Sequence, residues 1–107
     1  MDKFKNVIQE IIDFLNKIDS NAYFSHIGYL NHLVDLIGKN ELEEFYKKMD
    51  SVEMWGGSGA LWESQYGMTD EQQEHFDTLL LKVLNELKNK KRMGKRAKSL
   101  YKYFLNK

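Results

Sequence analysis

Apolar residues recur at three- and four-residue spacings in five segments of the chain, and this is the period of an amphipathic α-helix. In the first segment polar residues separate the apolar positions, which form one broad face: Phe4, Val7, Ile8, Ile11, Ile12, Leu15 and Ile18. The other four segments repeat this pattern. The spacings predict helices over residues 4–18, 23–37, 42–49, 70–87 and 97–105.

Capping residues lie near the ends of these segments. Residues 19–21, Asp-Ser-Asn, predict a turn because their side chains bond nearby backbone groups. Gly38 is expected to end the second helix, since glycine readily takes the left-handed cap conformation. Residues 40–43 and 69–72 each place Asn or Thr three positions before Glu or Gln. This capping-box arrangement predicts a helix start at each place, with Asn40 in the cap position of the first.

A glycine-rich break separates the two halves of the chain. Residues 51–68 contain four of the seven glycines and both tryptophans, Trp55 and Trp62. Proline is absent and β-branched residues are few, so local preferences favour helix elsewhere. The predicted fold is all-α, a small bundle of four to five helices with a Gly/Trp-rich central loop. Only residues 52–63 could hold a short hairpin.

Length and composition favour one helical domain spanning residues 1–107. The apolar share is 42%, which is enough for a chain of this size to bury a core. Cysteine is absent, which excludes disulfides and thiolate ligands and fits a reducing compartment. No apolar run reaches the length of a membrane span, and the first residues do not resemble a signal peptide. We therefore expect a cytoplasmic protein with no membrane association.

Charge is divided along the chain although the formal net charge is zero. Residues 1–87 hold 7 Lys/Arg and 16 Asp/Glu, a net charge of −9. Residues 88–107 hold 9 Lys/Arg and no acid, a net charge of +9. This asymmetry predicts either a basic tail that docks on an acidic body or an acidic surface that faces a partner.

The Gly-Gly-Ser-Gly run at residues 56–59 does not predict catalysis. It lacks the Gly-Lys-Ser/Thr ending of a phosphate-binding loop and the spacing of a dinucleotide fingerprint. Ser58 imitates part of a nucleophile elbow, but that device needs a large parallel sheet and a suitably placed histidine, and His75 is the only later one. No enzyme activity and no cofactor are expected.

Metal binding is not predicted either. His26 and His32 are six positions apart, roughly 240° around a helix, so their side chains diverge. Glu71 and His75 have the i, i+4 spacing, but a single pair on an acidic helix indicates a solvated surface.

Two interpretations of the tryptophan loop are compatible. In the first, Trp55 and Trp62 close the core and the glycines form the bend. In the second, aromatic and acidic side chains of the loop present a partner-binding surface. One tryptophan could face each way.

The basic segment, residues 88–98, also has two interpretations. Lysine and arginine side chains could neutralise phosphates of a nucleic acid, and aromatic residues in the tail could stack on bases. Alternatively, the segment docks on the acidic body, and the tail aromatics have core-like spacing. The candidate nucleic-acid-binding residues are Lys90, Lys91, Arg92, Lys95 and Arg96.

The segment Trp-Gly-Gly-Ser-Gly-Ala-Leu-Trp-Glu at residues 55–63, followed by a Phe/Leu-rich helix and a basic tail, resembles a family of small uncharacterised bacterial helical proteins. Some members are similar to immunity proteins encoded beside secreted toxins. The resemblance implies a cytoplasmic protein that blocks a toxin by direct binding, and it implies no catalytic residue.

An immunity-type inhibitor of a cognate, basic toxin is therefore the leading hypothesis. Many such toxins are basic nucleases, and an acidic surface steers association with them. The acidic residues near the tryptophan loop run from Glu41 to Asp77. The selected partner-binding candidates are Glu43, Glu44, Asp50, Glu53, Trp55, Trp62, Glu63, Asp70, Glu71 and Glu74. A small nucleic-acid-binding regulator is the alternative.

Overall fold

The computed structural model describes residues 1–57, 59–65 and 67–106, and these residues form helices, turns and loops with no strand among them. The helices are α1 (Asp2–Asp19), α2 (Phe24–Gly38), α3 (Leu42–Met49), α4 (Val52–Trp55), a 3₁₀-helix (Leu61–Glu63), α5 (Asp70–Asn89) and α6 (Lys95–Leu105). Five of these have eight residues or more. The predicted all-α class with four to five main helices is confirmed. Across the described ranges, no helix is both long and apolar enough to cross a membrane.

The chain divides into two compact units. Unit 1, Met1–Met49, contains α1 to α3, and unit 2, Asp50–Lys107, contains α4 to α6 with the 3₁₀-helix. A single domain spanning residues 1–107 was expected from the sequence. Whether the two units fold together or separately is a different question, so the one-domain expectation stays a prediction.

Unit 1 is built around the apolar face of α1. Its buried residues are Phe4, Val7, Ile8, Ile11, Ile12 and Leu15. The ring of Phe4 packs edge-to-face on Phe45 of α3, with 5.2 Å between the ring centroids. Helix α2 packs against both α1 and α3 and contributes Leu30, Leu33 and Leu36 to the core. Asp19 ends α1 as predicted, because its Oδ1 accepts the backbone N–H groups of the next turn.

The end of α2 differs from the prediction. Gly38 is the last residue of the helix, and the left-handed position is taken by Asn40, whose φ is 58°. The backbone N–H of Glu41 donates to the carbonyl of Leu36 and that of Asn40 donates to Ile37, which is a Schellman motif. Asn40 therefore ends α2 and is not the N-cap of α3, which begins at Leu42. Asparagine suits both positions, so the capping-box pattern was ambiguous here.

Unit 2 is built around α5. This helix buries six apolar residues: Phe76, Leu79, Leu80, Val83, Leu84 and Leu87. Helix α6 packs against α5 through its own buried face of Ala97, Leu100 and Phe104, and it also contacts α4. The predicted capping box at the start of α5 is confirmed, with Thr69 Oγ1 accepting from Gln72 N at 3.1 Å and Gln72 Oε1 accepting from Thr69 N at 2.9 Å.

Replacing Thr69 with alanine should destabilise the protein by about 1 kcal/mol, because the N-cap of α5 loses its side-chain acceptor. Denaturant unfolding of the wild type and the variant measures this difference. Thr78→Ala is the matched control, since Thr78 lies exposed inside the same helix and its hydroxyl donates to the Glu74 carbonyl. A loss for Thr69→Ala no larger than that for Thr78→Ala would contradict the capping role.

His26, partly buried on α2, should make stability depend on pH. Burial lowers the pKa of its imidazole below the ordinary value of 6.5, because it disfavours the charged form. The unfolded chain therefore binds this proton more readily than the folded chain, and the free energy of unfolding should rise as pH rises through the region of 6.5. The wild-type curve minus that of His26→Gln isolates the contribution. A difference that does not change with pH would contradict it.

Candidate functional site

The sequence-predicted partner residues fall in both units. Glu43 and Glu44 are exposed on α3 of unit 1, and Glu44 pairs with Lys48 at 3.6 Å. The other eight belong to unit 2. Five of them, Glu53, Glu63, Asp70, Glu71 and Glu74, carry exposed side chains.

Trp55 is not available to a partner, contrary to its selection as a binding residue. It is only 2% exposed. Trp55 and the neighbouring Met54 are both buried on the single turn of α4, which contacts the 3₁₀-helix and α6. Trp55 thus fits the structural interpretation of the loop.

Trp62 lies on the 3₁₀-helix and remains partly exposed. Its indole Nε1–H donates to the carbonyl oxygen of Gly56 at 2.7 Å. The Gln65 side-chain amide donates to the Trp62 carbonyl at 3.1 Å and to Asp77 Oδ1 at 3.0 Å. These bonds hold the indole, the loop and α5 in one fixed arrangement.

Gly56 is required where it stands because the chain turns tightly after α4. A Cβ atom at this position would lie 2.6 Å from the carbonyl oxygen of Val52. Any side chain would therefore move the backbone whose carbonyl accepts the Trp62 hydrogen bond.

Aromatic rings from α6 extend the surface beside Trp62. Tyr103 meets Trp62 edge-to-face with 5.6 Å between the ring centroids and meets Phe104 at 5.4 Å. Phe104 is buried, whereas Tyr103 is 50% exposed. An exposed aromatic held by two neighbouring rings is suited to act as a binding anchor.

Two adjoining grooves run over these rings and the outer face of α5. The first, of about 440 Å³, is lined by Asp70, Gln73, Glu74, Asp77, Thr78, Leu81 and Phe104. The second, of about 300 Å³, is lined by Trp62, Glu63, Gln65, Asp77, Tyr103 and Phe104. Asp77 and Phe104 belong to both. We call the two grooves together the acid–aromatic surface.

Three selected acids, Glu63, Asp70 and Glu74, line the acid–aromatic surface. Glu53 and Glu71 are among the lining residues of neither groove. Asp77 was among the acidic residues noted around the tryptophan loop but was left out of the selected candidates, and Tyr103 was not selected as a partner contact. For Asp77 a signal was present, because residues 70, 74 and 77 have the i, i+4, i+7 spacing of one helix face.

Asp50 has a different setting from the other acids. Its carboxylate packs against the backbone of Gly94, the N-cap of α6, so closely that a Cβ at Gly94 would collide with it. The Oδ1 atom is buried and accepts no hydrogen bond from the described residues. A carboxylate at the positive end of α6 is favoured by the helix dipole. Asp50 is therefore a half-buried neighbour of the α6 N-terminus, and its selection as a partner contact stays a prediction.

The basic segment joins α5 to α6. Lys91 takes the left-handed position after α5, with φ 57°, and the N–H of Arg92 donates to the Leu87 carbonyl. The five candidate nucleic-acid-binding side chains, Lys90, Lys91, Arg92, Lys95 and Arg96, are all exposed. A separate groove of about 360 Å³ here is lined by Lys88, Lys91, Met93, Lys98 and Tyr101. Lys88 Nζ lies 5.2 Å from the centroid of the Tyr101 ring.

Ser58, whose elbow-like context was considered from sequence, lies outside the described residues. Within the part of the chain that the structure describes, no three His, Asp or Glu side chains are grouped so that they could hold a metal ion.

Gly56→Ala should destabilise the protein by about 1–3 kcal/mol, because the added methyl group contacts backbone that cannot move without distorting α4. Gly57→Ala is the matched control, since a Cβ there meets nothing within 4 Å. Thermal unfolding compares the two variants. Equal stability of Gly56→Ala and Gly57→Ala would show that the tight turn is not required.

No family model, curated protein or solved structure matches this chain. The resemblance of residues 55–63 to small bacterial helical proteins, some of them similar to toxin immunity proteins, stays a prediction.

Proposed function

We propose that this protein is an immunity-type inhibitor that acts in the cytoplasm and neutralises a cognate, basic toxin by direct binding. The acid–aromatic surface is the contact region. The observation that carries the proposal is a row of four carboxylates, Glu63, Asp70, Glu74 and Asp77, along two adjoining grooves, one of which is also lined by the rings of Trp62 and Tyr103.

Each part of this surface has a role in binding a basic protein. The carboxylates raise the association rate, because complementary potentials steer the encounter of charged partners. The rings supply the rigid aromatic contact area that is typical of interface hot spots. Hydrogen bonds already fix Trp62 and Asp77, so little side-chain entropy is lost when the partner docks.

Co-expression with the toxin-like gene encoded beside that of the protein tests the proposal. The protein should restore growth of cells that make the toxin, and the two proteins should co-purify. Neither protection nor co-purification would reject the proposed function.

The double variant Glu74→Gln/Asp77→Asn should weaken toxin binding at least about tenfold at low salt, because it removes two carboxylates from the centre of the surface. The loss should appear mainly in the association rate and should shrink as salt is added. Surface plasmon resonance at several salt concentrations measures both rates. Asp13→Asn/Asp35→Asn removes the same charge from exposed positions of unit 1 and serves as the control. Equal losses for the two double variants would place the contact elsewhere.

A small nucleic-acid-binding regulator is the second candidate, favoured by the groove where three lysines surround Tyr101. Lysines at such a groove neutralise phosphates, so affinity for generic single- or double-stranded RNA would fall steeply with salt. Changing Lys90, Lys91, Arg92, Lys95 and Arg96 to alanine would reduce that salt dependence, since these five exposed cations include Lys91 of the groove and its neighbours in the chain. No RNA binding at low salt would exclude this candidate.

A further inference from the structure

The second groove of the acid–aromatic surface combines three features at one place. Two aromatic rings, Trp62 and Tyr103, border it from different elements. The carboxylates of Glu63 and Asp77 border the same space. The volume of about 300 Å³ lies at the lower limit for small-ligand pockets, which span roughly 300–1,000 Å³. The two carboxylates and two rings of this lining therefore favour a cationic side chain over an apolar one.

Asp77 supplies a carboxylate to this groove. Its Oδ1 accepts the Gln65 amide at 3.0 Å, and this bond restrains the position of the carboxylate. A planar guanidinium can bind a fixed carboxylate through two parallel hydrogen bonds, whereas an ammonium binds as a point charge.

The aromatic border favours the same group. Guanidinium stacks on indole and phenol rings and is more weakly hydrated than ammonium, so it loses less on leaving water. Trp62 cannot swing away from the groove without breaking its hydrogen bond to Gly56. The carboxylate of Asp77 and the rings of Trp62 and Tyr103 thus favour the planar guanidinium of arginine over the ammonium of lysine.

We propose that this groove receives an arginine side chain of the partner protein, with Asp77 as its carboxylate acceptor and Tyr103 as its aromatic contact. The inference rests on the proposed function in taking a protein as the occupant. It adds the chemistry of the residue that the partner inserts.

Binding of a hexa-arginine peptide and of a hexa-lysine peptide to the full chain, measured by calorimetry, tests this inference. The two peptides carry equal charge, so long-range attraction is the same for both. Hexa-arginine should bind about fivefold more tightly, as expected for one stacked, bidentate guanidinium. Equal affinities for the two peptides would overturn the inference.

Three variants locate the preference. Asp77→Asn keeps an acceptor for Gln65 but removes the charge, and Tyr103→Leu keeps apolar volume but removes the ring. Both should reduce the arginine-to-lysine ratio toward one. Glu71→Gln removes the same charge from an exposed position of α5 that lines neither groove, and it should weaken both peptides equally and keep the ratio. A ratio lost equally in Glu71→Gln would overturn the assignment to this groove.

Failure of this inference and failure of the proposed function give different results. If the toxin is neutralised but the peptides bind equally, the inference fails and the inhibitor function stands. If the arginine preference depends on Asp77 and Tyr103 but no toxin is neutralised, the groove assignment stands and the inhibitor function fails. Concentration-dependent association of the protein that hexa-arginine disperses would show a second copy's arginine in the groove, and would overturn the assignment to a different partner protein.

Discussion

The arrangement of unit 2 depends on the rotation of α5 about its axis. The apolar face of this helix buries residues such as Phe76, Leu80 and Leu84, which fixes that rotation. The same rotation fixes the direction of the acidic stripe that flanks the apolar face. Asp70, Glu74 and Asp77 line the grooves because core packing holds them there, although like charges repel one another.

A second constraint joins the loop to this helix. The indole N–H of Trp62 donates to the backbone carbonyl of Gly56. The Gln65 side-chain amide donates both to the backbone carbonyl of Trp62 and to Asp77 of α5, and so joins the loop to the helix. A loop rich in glycine loses much conformational entropy on ordering. The hydrogen bonds of Trp62 and Gln65 and the aromatic contact with Tyr103 offset part of that loss.

Sequence patterns predicted most of the helices, because periodic burial and local capping are encoded within a few neighbouring residues. The Thr69 capping box is an example. The prediction that Asn40 is the N-cap of α3 was wrong, because asparagine suits both the end of one helix and the start of the next. The sequence offered burial of Trp55 as one of two interpretations but could not decide between them, nor could it place Tyr103 beside Trp62, because both depend on contacts between elements distant in sequence. The spacing of residues 70, 74 and 77 on one helix face could have added Asp77 to the selected candidates.

The contact between Asp50 and Gly94 has a consequence for partial unfolding of unit 2. These residues are 44 positions apart, and closing a loop of that length costs roughly 3 kcal/mol of chain entropy. The packing of α6 on α5 and α4 has to offset that cost. Because α6 also supplies Tyr103, a chain whose α6 has detached keeps the carboxylates of α5 but loses the ring beside Trp62.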